Sequence, residues 1–299
     1  MTAATNPNQP SGTLVGIVLP TLFAGTIEPA TGDDEHLGKV ALEWQKMSIW
    51  ADVAEGHGAL HGIDNGRFTE LIGRIASAGE QLGVADTVSR DARAWLAEPD
   101  PQPKHGVAAR ALAEITGYYA ISAAHGLVNV SLRTLLLNST SAALVNTAYA
   151  KAKGFAPFST DRDAWQPLNA NVVTRLEAAA VATGEASASS LIGVLRTLID
   201  NPQWKALAGR RDIDFHRWRP QSIEGGVTQA NPWQTLPDGT TQLTVYAGST
   251  YLVPDPVRLV REAIDGLNVL ALAMSEWLEL WPESLRDLGV PVFKTTSSS

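Results

Sequence analysis

The sequence predicts a mainly α-helical protein, a helical bundle with one candidate β-hairpin near residues 241–252. Three observations lead there. Apolar residues recur at three- and four-residue spacing through most of the 299 positions, the period of a helix with one buried face. The breaks between these segments carry helix caps, Pro or Gly. Only Thr241–Leu252 has the β-branched, aromatic character of a strand pair, with Leu243, Val245 and Tyr251 and a turn near Ala247-Gly248.

Taken in order, residues 1–12 are polar and broken by Pro and Gly, and are expected to be a disordered end. Thr13–Gly25 is apolar, yet no Lys or Arg precedes it and Pro20 interrupts it. It lacks the basic start of a signal peptide and the length of a bilayer span, so it reads as a buried segment. A helix follows Thr31–Asp34 towards Gly56, carrying Leu37, Val40, Ala41, Trp44 and Met47. Asp64-Asn65-Gly66 opens a helix over Phe68–Leu82, and Asp86 caps another to Glu98. The Pro99–Pro103 run is the best internal boundary, although it also suits an interhelical loop. It would divide an N-terminal helical segment (13–98), packed on the main body, from a larger helical domain (104–294).

In that larger part, a helix is expected from Gly106 to Leu137, and another over Ala142–Lys153 behind Asn138-Ser139. A helix from Asn171 ends at Gly184, and Ser187–Asp200 follows until Asn201-Pro202 breaks it. Trp204–Leu207 then reads as a short turn, and Gln221–Asp238 as loop. Asp255-Pro256 caps a helix that runs from Val257 to Trp281, where Pro282 stops it. Its broad apolar stripe, with Trp277 and Trp281 one turn apart, suits a core or a dimer seam. Thr295–Ser299 is expected to fray.

Composition narrows the function. The net charge of −8 and pI of about 5.3 argue against broad nucleic-acid binding, but not against a local basic cleft. The absence of Cys removes disulfides, thiolate metal sites and a Cys nucleophile, and fits a reducing cytoplasm. No P-loop, dinucleotide fingerprint or nucleophile elbow occurs, and no cofactor is expected.

Chemistry is concentrated in Gly209–Pro220, which holds four arginines, two aspartates, His216 and Trp218. Arg211 and His216 flank four residues, the first of them the polar Asp212. This run resembles the signature of HEPN domains, helical nucleotide-binding and ribonuclease domains, in which Arg is followed by a polar residue, three more and His. The resemblance covers about residues 106–285 and identifies 104–294 as HEPN-like. It implies Arg211 and His216 as catalytic residues and Asp212 as their polar support. It also implies metal-independent RNA cleavage by 2′-hydroxyl attack to a 2′,3′-cyclic phosphate, in a homodimer whose two Arg/His sets share one cleft. A toxin or defence role, with an antitoxin or regulatory partner, would follow.

Arg210, Arg217 and Arg219 would then grip phosphates and Trp218 would stack on a base. Arg210 offers a second register for the motif. The plainer alternative makes Arg210, Arg211, Asp212 and Asp214 a surface ion-pair cluster, and the whole chain a non-catalytic nucleotide- or protein-binding module. Elsewhere His57 and His61 could pair on a metal, but the surrounding glycines favour loop histidines. His125 and Asn129 could reach the motif across the bundle, yet are expected to satisfy each other inside it. Asp161 and Asp163 read as first-turn acids.

Overall fold

The computed structural model describes residues 33–47, 65–99, 103–151, 165–216, 233–235, 241–243 and 255–290. Its helices are α1 (Asp33–Lys46), α2 (Asn65–Leu96), α3 (Pro103–Leu135), α4 (Ser139–Lys151), α5 (Ala170–Thr183), α6 (Ala186–Asp200), α7 (Pro202–His216) and α8 (Pro256–Asp287). A two-stranded antiparallel hairpin, β1 (Trp233–Thr235) and β2 (Thr241–Leu243), lies between α7 and α8. The protein is a helical bundle. No single described helix is long and apolar enough to cross a membrane.

One continuous cluster of buried apolar side chains takes in all eight helices. The helix α8 is its spine, packing on α1, α2, α3, α6 and α7. Its buried residues Leu259, Val260, Ala263, Leu267, Leu270, Ala271, Met274, Trp277 and Trp281 hold to helical spacing over six turns. The stripe read as a possible dimer seam is therefore buried within the chain. Because α2 and α3 pack on each other and α1 and α2 both reach α8, the Pro99–Pro103 run joins two helices of one core.

Local chemistry explains most boundaries. Asn169 caps α5 by accepting from the Val172 N–H at 2.9 Å, and Gly184 ends it at φ 78°, a left-handed conformation that glycine adopts without strain. Asn201 closes α6 with its backbone N–H on the Leu198 carbonyl and opens α7 with its side chain, which accepts from the N–H groups of Gln203 and Trp204 at 2.9 and 3.3 Å. The Asp255 side chain opens α8, accepting from Val257 N–H at 3.1 Å ahead of Pro256.

Four expectations need correction. Asp86 caps nothing: it lies inside α2, where its carboxylate accepts both Nε and Nη2 of Arg90 one turn on. The residues Trp204–Leu207 are not a short turn but part of a 15-residue helix, held by burial of Trp204 and Leu207. Pro282 does not stop α8, which continues to Asp287. Beyond the proline, Ser284 donates to the carbonyls of Ser187 and Leu280, and Leu285 is buried; this anchoring offsets the missing proline donor. Finally, the Thr241–Leu243 arm of the hairpin pairs backwards, Trp233 opposite Leu243 and Thr235 opposite Thr241. Residues 233–235 are thus strand rather than loop. The Ala247-Gly248 position is outside the described residues.

The α1–α2 crossing depends on Gly79. A Cβ built there would sit 2.4 Å from Trp44 Cβ, 2.8 Å from Gln45 N and 2.9 Å from Ala41 O. Two of these neighbours are backbone atoms, so α1 itself must move. We expect Gly79→Ala to cost about 1–3 kcal/mol in urea unfolding. Gly73→Ala, with nothing within 4 Å on the same helix, should instead gain about 0.5–1 kcal/mol.

Candidate functional site

The motif-bearing run lies at the C-terminal end of α7, so Arg211, Asp212 and His216 are all helical. Arg217, Trp218 and Arg219 lie outside the described residues, as do His57, His61, Asp161 and Asp163. Five residues of α-helix separate the 211 and 216 positions by about 140° around the axis, whereas 212 and 216 are one turn apart on a common face.

The last contact into the core before the motif is Arg210. Its Nη2 donates to Glu262 Oε2 of α8 at 2.8 Å, while Arg258 Nε, one turn from Glu262, donates to the other oxygen at 2.7 Å. Both carboxylate oxygens of Glu262 are thus occupied by guanidinium donors, and Arg258 is far more exposed (70%) than Arg210 (26%). Burial would raise the Glu262 pKa, but the bonds from Arg210 and Arg258 outweigh it and hold the carboxyl below its usual range. A depressed carboxylate stabilises the fold above its unfolded pKa, about 4.3, and loses that contribution as pH falls through the lower folded value. The stability difference between wild type and Glu262→Gln, measured by thermal unfolding, should therefore be largest above about pH 5 and shrink on acidification.

Around this pair, Ala113, Glu114, Gly117 and Tyr118 of α3, Leu207 and Arg210 of α7, and Leu259, Glu262 and Ala263 of α8 line a cleft. Its approach is tight because Gly266 of α8 lets Leu207 in, a built Cβ falling 2.7 Å from Leu207 Cβ. The enclosed space of about 30 Å³ admits a water rather than a nucleobase. Charge in the lining is two carboxylates against one guanidinium, and Glu114 also accepts from Arg110 at 3.1 Å.

A second polar cluster joins α2 to α3. Glu70 Oε1 accepts from Arg74 Nε at 2.7 Å and Arg133 Nε at 3.2 Å, and Arg74 lies over the Trp165 ring at 5.7 Å. Burial first, and the nearby Arg74 charge second, pull the Arg133 pKa down, with Glu70 opposing them.

The histidine and asparagine on α3 serve the fold. His125 Nδ1 accepts from the Leu168 N–H at 2.9 Å, which makes Nδ1 the unprotonated nitrogen. Asn129 donates to the carbonyls of His125 and Gln166 and accepts from Gln166 N–H. Together they fix residues 166–168, the approach to α5.

Sequence reasoning missed Glu262. A local signal existed, since Arg258 and Glu262 are four apart on one helix face. Its bond to Arg210 spans 52 residues and has no such signature. Trp277 and Trp281 are core residues, stacked with centroids 5.7 Å apart. Among the described residues, no group of three or more His, Asp or Glu could hold a metal ion. No family model matches the chain, and neither a curated protein nor a solved structure resembles it significantly.

Proposed function

We propose that the chain is a metal-independent endoribonuclease of HEPN type, working at the C-terminal end of α7 with Arg211 and His216. The observation that carries this reading is the division between adjacent arginines. Glu262 takes Arg210 into the α7–α8 contact, which leaves Arg211 as the register of the motif, five residues before His216. The order of elements agrees with the resemblance: an apolar helix, the motif, a connecting stretch and a long amphipathic helix.

The chemistry needs little from the protein. The RNA 2′-hydroxyl loses a proton to a base, its oxygen attacks phosphorus, and the 5′-oxygen departs with a proton, leaving a 2′,3′-cyclic phosphate. An imidazole with pKa near 6.5 can act as base or acid at neutral pH. A guanidinium forks onto the phosphoryl oxygens as charge builds. The separation of about 140° between the two positions on α7 favours a composite site, Arg211 of one subunit with His216 of a second copy. Such an enzyme would be a cytoplasmic homodimer acting as a toxin or defence component under an inhibitory partner. Arg217, Trp218 and Arg219 would follow the strand.

A second reading is a non-catalytic helical binding module. The observation favouring it is that the arginines at the described cleft, Arg110, Arg210 and Arg258, are engaged by Glu114 and Glu262, in a chain of net charge −8, which opposes RNA.

Purified protein incubated with RNA in EDTA separates them. Cleavage by wild type that falls about a hundredfold or more in His216→Ala and Arg211→Ala is the expected result. Cleavage that persists in both variants overturns the assignment of these residues. Intact RNA throughout, with no salt-dependent RNA retention, turns the reading to the binding module.

A further inference from the structure

We propose that Glu262 is a positioning residue for the α7 motif: by clamping Arg210 at the cleft floor, it fixes the rotational phase and order of the turns that carry Arg211 and His216. The inference rests on the function proposed above for its catalytic consequence, but the clamp itself is independent of it.

Among the described side chains of α7, the buried ones sit one turn apart on one face. Trp204 and Leu207 are in the core, Leu207 against Gly266 of α8. Arg210 lies one turn beyond Leu207 on the same face, and its bond to Glu262 is the last described side-chain tether from α7 to α8. A helix end without a tertiary anchor frays, because its final carbonyls have no partners within the helix. An anchor at 210 therefore holds the phase at which the next six residues begin.

The chemistry of the anchor suits that task. Arg210 approaches Glu262 through Nη2 and leaves the second carboxylate oxygen to Arg258. Arg258 thereby neutralises and orients the carboxylate from the solvent side. Three charges arranged as Arg–Glu–Arg give the clamp one geometry, whereas a lone exposed pair would be loose. A bond from guanidinium to carboxylate is also stronger and more directional than one between neutral groups.

Hydrogen–deuterium exchange of the full chain, read beside RNA cleavage in EDTA, tests this. In Glu262→Gln and Arg210→Met, amides of residues 208–216 should exchange about tenfold faster, with those of α6 at wild-type rates. Arg258→Met, which keeps the Arg210 bond but removes the second donor to Glu262, should speed exchange over 208–216 by less than either clamp variant does. Cleavage by Glu262→Gln should show kcat lowered about tenfold with KM within about twofold, the signature of misplaced groups rather than lost binding. Unchanged exchange over 208–216 in both clamp variants overturns the inference, whether or not RNA is cleaved. Faster exchange throughout the chain also overturns it, since Glu262 would then be a general stability residue. Localised fast exchange in a protein that leaves RNA intact supports the clamp and defeats the ribonuclease reading alone.

Discussion

Trp44→Ala is expected to cost about 3–5 kcal/mol and to lower the melting temperature by roughly 10 °C. Trp44 is fully buried on α1, its ring 5.1 Å from that of Trp277, and its Nε1 donates to the Met274 carbonyl at 3.0 Å. The alanine variant removes an indole where α1, α2 and α8 meet. Gly79 stands against the Trp44 Cβ, so the two helices are already in contact there and cannot close further onto the cavity. Trp44→Phe keeps most of the apolar surface and loses the bond to Met274, a further loss of about 1 kcal/mol beyond the volume change. Trp277 differs: its Nε1 is buried with no partner among the described residues, so Trp277→Phe removes no hydrogen bond described there. If chemical denaturation finds Trp44→Phe no worse than Trp277→Phe, the Met274 bond contributes nothing measurable.

Asn129→Leu should cost about 2–4 kcal/mol, since removing one side of a buried hydrogen-bond set exposes the other to full desolvation. Asn129 is fully buried and engages both backbone groups of Gln166, donating at 2.8 Å and accepting at 3.0 Å. Leucine matches its branching but is bulkier, so part of the cost is steric. The damage should be local as well as global, with amides of residues 165–170 exchanging faster than those of α3. Asn129→Asp keeps the acceptor for Gln166 N–H but no donor, and should fall between leucine and wild type. Equal stability of all three proteins in urea would mean that Asn129 does not hold this segment.

Where a boundary is written in short-range chemistry, the sequence was sufficient. Asn201-Pro202, Asp255-Pro256 and Gly184 act within three residues of themselves, and each falls where a helix was expected to end or begin. The errors come from residues whose role is decided by distant partners. Asp86 has the chemistry of a cap, but Arg90 occupies its carboxylate inside one long helix. Pro282 has the chemistry of a stop, but Ser284 bonds to Ser187 across 97 residues. The candidate site shows the same division. The composition and spacing of Arg211, Asp212 and His216 could be read directly. Which of two adjacent arginines belongs to the scaffold depended on Glu262, and nothing near Arg210 in sequence marks that partner.

The Trp44–Met274 bond joins positions 230 residues apart, with a consequence for how the chain is made. At ordinary ribosomal speeds, roughly 10–50 s pass between synthesis of these two residues. Through that interval α1, α2 and α3 can cover one another, but the faces that meet α8 stay open. The core therefore closes late, when its spine emerges, and any product interrupted before α8 presents a long apolar furrow to solvent. Such fragments would be natural clients for holdase chaperones and proteases, and the finished chain should gain its protease resistance only after release.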